Sequence, residues 1–283
     1  MTLVIARLTI QEVVRRRLVL ALLLLTGAAV ALTGWGFSRL TGIHQQGRPI
    51  SAAERVLITS QLLIFVFFMF STVLGLGAVM VASPSISAEV ESGQVLAVIA
   101  RPISRLEMVV GKWAALCGLA VVYAAIASGL ELLVVRVLTG YVPPHPIAMV
   151  AFVAAEGVVL VSLTLLLSVR LSGMTAGIVA LVLFFMAWMG GIAGAVGTAL
   201  GNAGVEAAGT VSRLALPTDG LWRGAIYNAE PESVLAVAAG TREAAANPFT
   251  ATAAPAAAYL AWAAVWVIAV VALTAWSFRR REL

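Results

Sequence analysis

SPSISAEVESGQVLAVIARPISRLEMVVGKW, residues 83–113, is the one long polar interruption between two apolar spans on the side of the membrane richer in basic residues. It holds three acids, Glu89, Glu91 and Glu107, and three bases, Arg101, Arg105 and Lys112. Its helix punctuation is clear. Pro84 suits a first helical turn, where a missing N–H costs little, and Gly93 can end that segment in a left-handed conformation. Val95, Leu96, Val98 and Ile99 give a second short helix one apolar face. Arg101-Pro102 stops it, because the residue before proline is pushed out of the α region. Ser104-x-x-Glu107 is a capping box, with Ile103 and Met108 as its hydrophobic staple, so the next membrane helix starts near Arg105. The expected product is a bent helical hairpin with an apolar tip, held just outside a bilayer. A plain solvated loop is the simpler alternative, but structureless connections of this length are uncommon.

Composition agrees with a bilayer setting. Hydrophobic residues make up 61% of the 283 and charged residues 11%, against about 25% charged in soluble domains. Of the 18 basic residues, 17 are arginine, and they flank apolar runs instead of clustering on a soluble face, which argues against a nucleic-acid partner. Cys117 is the only cysteine, so an internal disulfide is excluded. The first apolar run, with Arg15, Arg16 and Arg17 before it and Ala29-Val30-Ala31 within it, resembles a signal peptide. It continues through Trp35, long enough to span, and is expected to stay as a span.

Six spans are expected, near residues 18–35, 57–82, 114–138, 147–168, 174–198 and 256–278, each long enough for a hydrocarbon core about 30 Å thick. Residues 1–17 read as an interfacial helix, with Leu3, Ala6, Ile10, Val13 and Val14 on one stripe and arginines on other faces. With the N-terminus inside, the inner segments hold 11 lysines and arginines and the outer ones six, Arg136 being left out of both. Both termini and residues 83–113 are therefore expected in the cytoplasm.

The fifth span carries Gly190, Gly194, Gly197 and Gly201, a spacing that allows close helix contact in lipid. Met186 and Met189 lie one turn apart and read as apolar filler, not as metal ligands. Residues 199–255 form the longest segment outside the spans. Asp219 is expected to cap a helix in which Leu221, Trp222, Ala225 and Ile226 share a face, with Trp222 and Tyr227 at the membrane interface. Pro231 starts and Gly240 ends a second short helix.

Neither a phosphate-binding G-x-x-x-x-G-K-[ST] loop nor a hydrolase or zinc motif occurs, and two distant loop histidines, His44 and His145, do not form a metal site. The chain is not expected to be an enzyme by itself. Glu131, Arg136 and Glu156 lie within spans, where ionisable groups are costly and face a bundle interior, a water-filled cavity or a partner. They are candidates for a translocation path, or alternatively for a structural Arg–Glu pair or a protonated carboxyl bonded to a neighbouring helix.

The pattern Glu89-x-Glu91-x-Gly93, Arg101-Pro102-Ile103-Ser104-Arg105 and Gly111-Lys112 resembles ABC-2-type permease subunits, in particular the permease of the nitrous-oxide-reductase maturation system. The Pro217-Thr218-Asp219-x-Leu221-Trp222-Arg223 run is similar to the same family. The resemblance implies an all-α integral membrane protein with an N-terminal elbow helix, cytoplasmic coupling helices, and extracytoplasmic helices before the last span. It implies a multi-pass protein of the bacterial inner membrane. A homodimer, or a heterodimer, of permeases would sit on two ABC ATPase subunits that bind ATP and Mg, with no cofactor in this chain. By that resemblance Glu89, Glu91, Gly93, Leu96, Arg101, Pro102, Arg105 and Lys112 are the ATPase-coupling residues. The implied function is export, or mechanical work on an extracytoplasmic partner. Two other classes stay open on the residues alone: an ion-driven secondary carrier using Glu131 and Glu156, and a membrane scaffold using residues 199–255.

Overall fold

An apolar run of 18 or more residues can satisfy its backbone in lipid only within itself, so each such run becomes a helix. The computed structural model describes residues 2–40, 44–45, 48–49, 51–91, 104–238, 247 and 249–281. Among these, the helices are α1 (Thr2–Val14), α2 (Arg17–Leu40), α3 (Ala52–Ala82), α4 (Pro84–Glu91), α5 (Arg105–Thr139), α6 (Pro146–Ser168), α7 (Gly173–Leu200), α8 (Ala203–Ala215), α9 (Thr218–Ala229), α10 (Glu232–Ala238) and α11 (Ala257–Arg279). A two-residue antiparallel pairing joins His44–Gln45 (β1) to Arg48–Pro49 (β2). Six of the helices are long and apolar enough to cross a membrane, in the order expected from the sequence.

The helix ends obey local chemistry. At α5 the Ser104 Oγ accepts from the Glu107 N–H at 3.1 Å and the Ser104 N–H donates to the Glu107 carboxylate at 3.0 Å, the expected capping box. Ser51 and Glu54 form an identical box, and it starts α3 at Ala52, five residues ahead of the span read from hydropathy. Gly140 and Gly201, with φ of 72° and 68°, end α5 and α7 in the left-handed region that only glycine enters cheaply.

The most enclosed span is α6, which packs against α3, α5, α7, α9 and α11, whereas α2 and α11 are the most exposed. Three apolar clusters fill the bundle; the largest joins Leu63, Phe67 and Phe70 of α3 to Val153 of α6 and Trp222 and Ile226 of α9. Both termini lie at one end, the terminal face: Thr2 approaches Gly111 near the start of α5, and Arg105 reaches the last turn of α11. The opposite end, the distal face, carries α8 to α10.

Four expectations are corrected. First, α4 does not stand outside the bundle. Ser83 keeps helical angles (φ −60°, ψ −40°), so α4 runs on from α3, and Ser85, Ile86 and Ser87 are buried against α6 and α7. Small residues permit this, since a Cβ on Gly173 would lie 3.0 Å from the Ser87 Oγ. Second, Val13 is not on the outward stripe of α1: it packs toward α5 with Ile5 and Thr9, while Leu3, Ile10 and Val14 of that stripe are exposed. Third, Asp219 is no cap: Pro217 holds the N-cap position of α9, and the carboxylate serves two arginines instead. Fourth, Trp222 is buried within the bundle, 5.6 Å from Phe68 between ring centres, and turns no face outward toward headgroups.

The fifth-span glycines pack, but against the chain's own next helix. Gly201 and the Asn202 cap reverse the chain, and α8 folds back along α7. A Cβ on Gly190 would lie 2.3 Å from the Ser212 Oγ, and one on Gly197 would lie 2.6 Å from the Glu206 nitrogen.

Candidate functional site

At the terminal face the chain builds a charged joint. The Lys112 side chain is 5% exposed and its Nζ lies 2.6 Å from the Glu89 Oε1; the same ammonium donates to the Ser85 carbonyl. Burial of an ammonium is tolerated only with such partners. Glu12 of α1 and Arg16 of the corner that follows it, themselves an ion pair, lie within electrostatic range of Lys112. One buried cation thus ties the α3–α4 arm to α5, with α1 alongside. Arg105 is equally occupied within the chain. Its Nη1 donates to the carbonyls of Phe278, Arg279 and Arg281 at 2.9–3.1 Å, neutralising the open C-terminal end of α11. Arg281 returns a hydrogen bond to the Val169 carbonyl, and Arg170 Nε donates to the Ser277 Oγ at 3.0 Å. Of the residues expected to couple to an ATPase, Glu91 is exposed at the end of α4. Gly93, Leu96, Arg101 and Pro102 lie outside the described residues.

The carboxylates of the spans occupy separate seams. Glu131 is fully buried on α5, with Thr33 of α2 close by and no partner in good hydrogen-bond geometry among the described residues. Glu156 of α6 accepts a 2.5 Å hydrogen bond from the Ser71 hydroxyl of α3. Arg136 is exposed and makes no ion pair among the described residues, so no Arg–Glu pair forms there.

Within electrostatic range of Glu156 lies a cluster the sequence reading did not assemble. The Asp219 carboxylate, 2% exposed, receives Arg213 Nε at 2.7 Å and Arg223 Nε at 3.2 Å. Both guanidinium groups also donate to the Gly191 carbonyl, at 3.1 and 3.3 Å. A Cβ at Gly191 would lie 2.1 Å from the Asp219 carboxyl carbon, so the absence of a side chain is what admits the cluster. It bolts α7, α8 and α9 together. Asp219-x-x-x-Arg223, the i,i+4 ion-pair spacing, was the available signal; nothing local marked Gly191 or Ser71.

The inner end of α8 is satisfied from α11. Tyr259 Oη donates to the Pro217 carbonyl at 3.1 Å, Trp262 Nε1 to Leu214 at 3.1 Å and Trp266 Nε1 to Ala215 at 2.9 Å. Orphan helix carbonyls in an apolar setting need such donors. The i, i+3, i+7 spacing of Tyr259, Trp262 and Trp266 put all three on one face, a pattern legible in the sequence but not used.

At the distal face Glu230 follows α9 and is buried, and burial pushes its carboxyl up to about 7. The Ala251 backbone and the Gln61 side chain approach it without good hydrogen-bond geometry. Beside it the Tyr141 hydroxyl donates to the Ala229 carbonyl at 2.9 Å; burial first, and the Glu230 charge second, push that phenol up to about 12.

Six apolar spans, a buried ionic joint at the terminal face and a re-entrant helical cap at the distal face define a polytopic membrane protein with no catalytic constellation among its described residues. The family model for ABC-2 family transporter protein matches residues 3–283. The chain therefore belongs to the ABC-2 transporter family, as the membrane subunit of an ABC transporter whose family implies an ABC ATPase partner. A comparison with curated proteins finds no match. The family match is to ABC-2 transporters at large and does not single out the nitrous-oxide-reductase maturation permease.

Proposed function

We propose that this permease is an exporter of the bacterial cytoplasmic membrane, with both termini cytoplasmic, driven by two copies of a separate ATPase that binds ATP and Mg. Residues 83–113 receive the ATPase stroke, and a second copy of the chain completes the pathway. The distal helices α8 to α10 pass the motion to the exported molecule or to an extracytoplasmic partner.

The observation that carries this reading is the Lys112–Glu89 joint. A stroke applied to residues 92–103 pulls on both of its ends, α4 and the start of α5, which the buried ion pair makes one rigid lever. Through α4 that lever meets α6 and α7, and α7 carries the distal hairpin. Glu89 and Lys112 act here by holding the lever, while Glu91, Gly93, Leu96, Arg101 and Pro102 supply the ATPase contact and Arg105 anchors the lever to α11. Glu131 and Glu156 border the path that opens when the seams separate.

Co-purification with the ATPase followed by an ATPase assay in nanodiscs tests the reading. Arg101→Ala and Leu96→Asp weaken association by one to three orders of magnitude, since removing one partner of a buried interfacial charge pair costs about 2–5 kcal/mol. Glu206→Ala, at the distal face, changes nothing. Wild-type association and stimulation in both variants would remove the coupling role of this stretch.

A further inference from the structure

The corner between α1 and α2 holds a partly open cavity of about 110 Å³ that the transport cycle above does not use. Val14 and Val19 flank the corner and line it, with Leu22 of α2, Leu74 of α3, and Leu116 and Leu119 of α5. Tyr123 also faces it, but spends its hydroxyl on Thr26 and so offers only its ring. A lining this apolar gives water too few partners, and dry cavities near 150 Å³ take up a small hydrocarbon, so the space suits part of one chain.

Between Val14 and Val19 the sequence places Arg15, Arg16 and Arg17. Arg16 is paired with Glu12, whereas Arg15 and Arg17 are exposed. Beyond the corner α1 exposes Leu3, Val4, Leu8 and Val14, with Arg7 among them. A surface mixing exposed aliphatic side chains with arginines lies at the boundary between headgroups and acyl chains. The corner therefore sets cations at headgroup depth over an apolar slot at acyl depth. Guanidinium groups fit a phosphate through paired donors, which an ammonium does not.

We propose that this corner binds one anionic diacyl phospholipid of the surrounding bilayer, its phosphate on Arg15 and Arg17 and part of one acyl chain in the slot. The lipid is a resident ligand that steadies α1 against α5, and the site stands independently of the direction of transport. Charge complementarity selects the occupant: a zwitterionic lipid fills the slot but repels the arginines with its own cation, and a free headgroup lacks the chain.

Native mass spectrometry of the full-length chain, released from detergent after titration with phosphatidylglycerol, phosphatidylcholine or glycerol 3-phosphate, tests this. The first phosphatidylglycerol binds about tenfold or more tightly than phosphatidylcholine, given about fivefold for each arginine near an anionic group. Arg15→Ala with Arg17→Ala erases that preference. Leu119→Trp fills the slot and lowers binding of both lipids; Leu23→Trp, placed on the exposed wall of the slot, repeats the test with less risk to folding. Thermal unfolding without added lipid confirms that each variant is folded. Equal binding of the two lipids, an unchanged preference in the arginine variant, or binding of glycerol 3-phosphate as tight as that of the whole lipid would each overturn the proposal.

Discussion

A Cβ built on Gly209 of α8 would lie 2.3 Å from the Gly194 Cα of α7. The two helices touch backbone to backbone, the close approach that small residues allow in lipid. No side-chain rearrangement relieves a clash with backbone. Gly209→Val is expected to destabilise the protein by about 3 kcal/mol or more, the upper end of the overpacking range, read as a lowered melting temperature in detergent. Gly118→Ala, whose added Cβ meets nothing within 4 Å, does not lower that temperature and raises it slightly, as alanine for glycine inside a helix does.

Glu89→Ala strands the ammonium of Lys112, whose side chain is buried. The expected loss is about 3–5 kcal/mol, as for other broken buried pairs. Lys112→Met in the same chain recovers most of it, because the double variant has no uncompensated charge. A double-mutant cycle on thermal unfolding measures the coupling; additive single effects would show that the pair is not a joint.

Glu156→Gln keeps an acceptor for the Ser71 hydroxyl and removes the ionisable carboxyl near Asp219. Assembly with the ATPase is expected to survive, while transport or its dependence on pH between about 6 and 8 changes, as for a membrane carboxylate with a functional role. Ser71→Ala, which removes the hydrogen bond alone, separates the effect of that contact from the loss of an ionisable carboxyl. Normal transport by Glu156→Gln and Glu131→Gln across that range would leave both carboxylates as structural groups only.

Stability should fall with rising pH through Glu230. Its carboxyl is raised by burial to about 7 in the folded chain and returns to about 4.3 on unfolding. The folded state therefore holds the proton more tightly. The stabilisation is complete below about pH 4 and is lost as pH rises toward and through 7, by about 4 kcal/mol in total at the usual 1.36 kcal/mol per pKa unit. Glu230→Gln should melt higher than the wild type at pH 8 and lose that advantage at pH 5, measured by thermal unfolding in detergent.

Topology is checked with single cysteines at the exposed Glu91 and Glu232 in a Cys117→Ala background, Cys117 itself being buried. An impermeant thiol reagent on intact cells is expected to label position 232 and spare 91, following the basic-residue bias. The reverse pattern would invert the orientation.

Whatever depended on one stretch of chain was legible before the fold was known. Hydropathy located six spans and Ser104-x-x-Glu107 located the start of α5, because length and capping are local properties. Gly201 reads in the sequence only as a packing glycine, and its left-handed end to α7 came from the structure. Ser51-x-x-Glu54 carried the same capping signal and was passed over in favour of hydropathy alone. The coupling stretch was recognisable as a motif, yet its charges were assigned outward although Lys112 and Arg105 turn inward. A charge pattern does not say which way a side chain faces once a second helix packs over it.

By itself, then, the sequence determined that this is a six-span helical protein of the membrane, with the family match in agreement. Only the tertiary structure decided that Lys112 closes on Glu89 and Ser85, that Arg213 and Arg223 converge on Asp219 over Gly191, and that Tyr259, Trp262 and Trp266 complete the end of α8. Apart from the i,i+4 pair of Arg223 with Asp219, these contacts join different parts of the fold, up to 51 positions apart in the last case. They exist because a bilayer core offers no water to buried charges and open helix ends, so other parts of the chain must supply the missing partners.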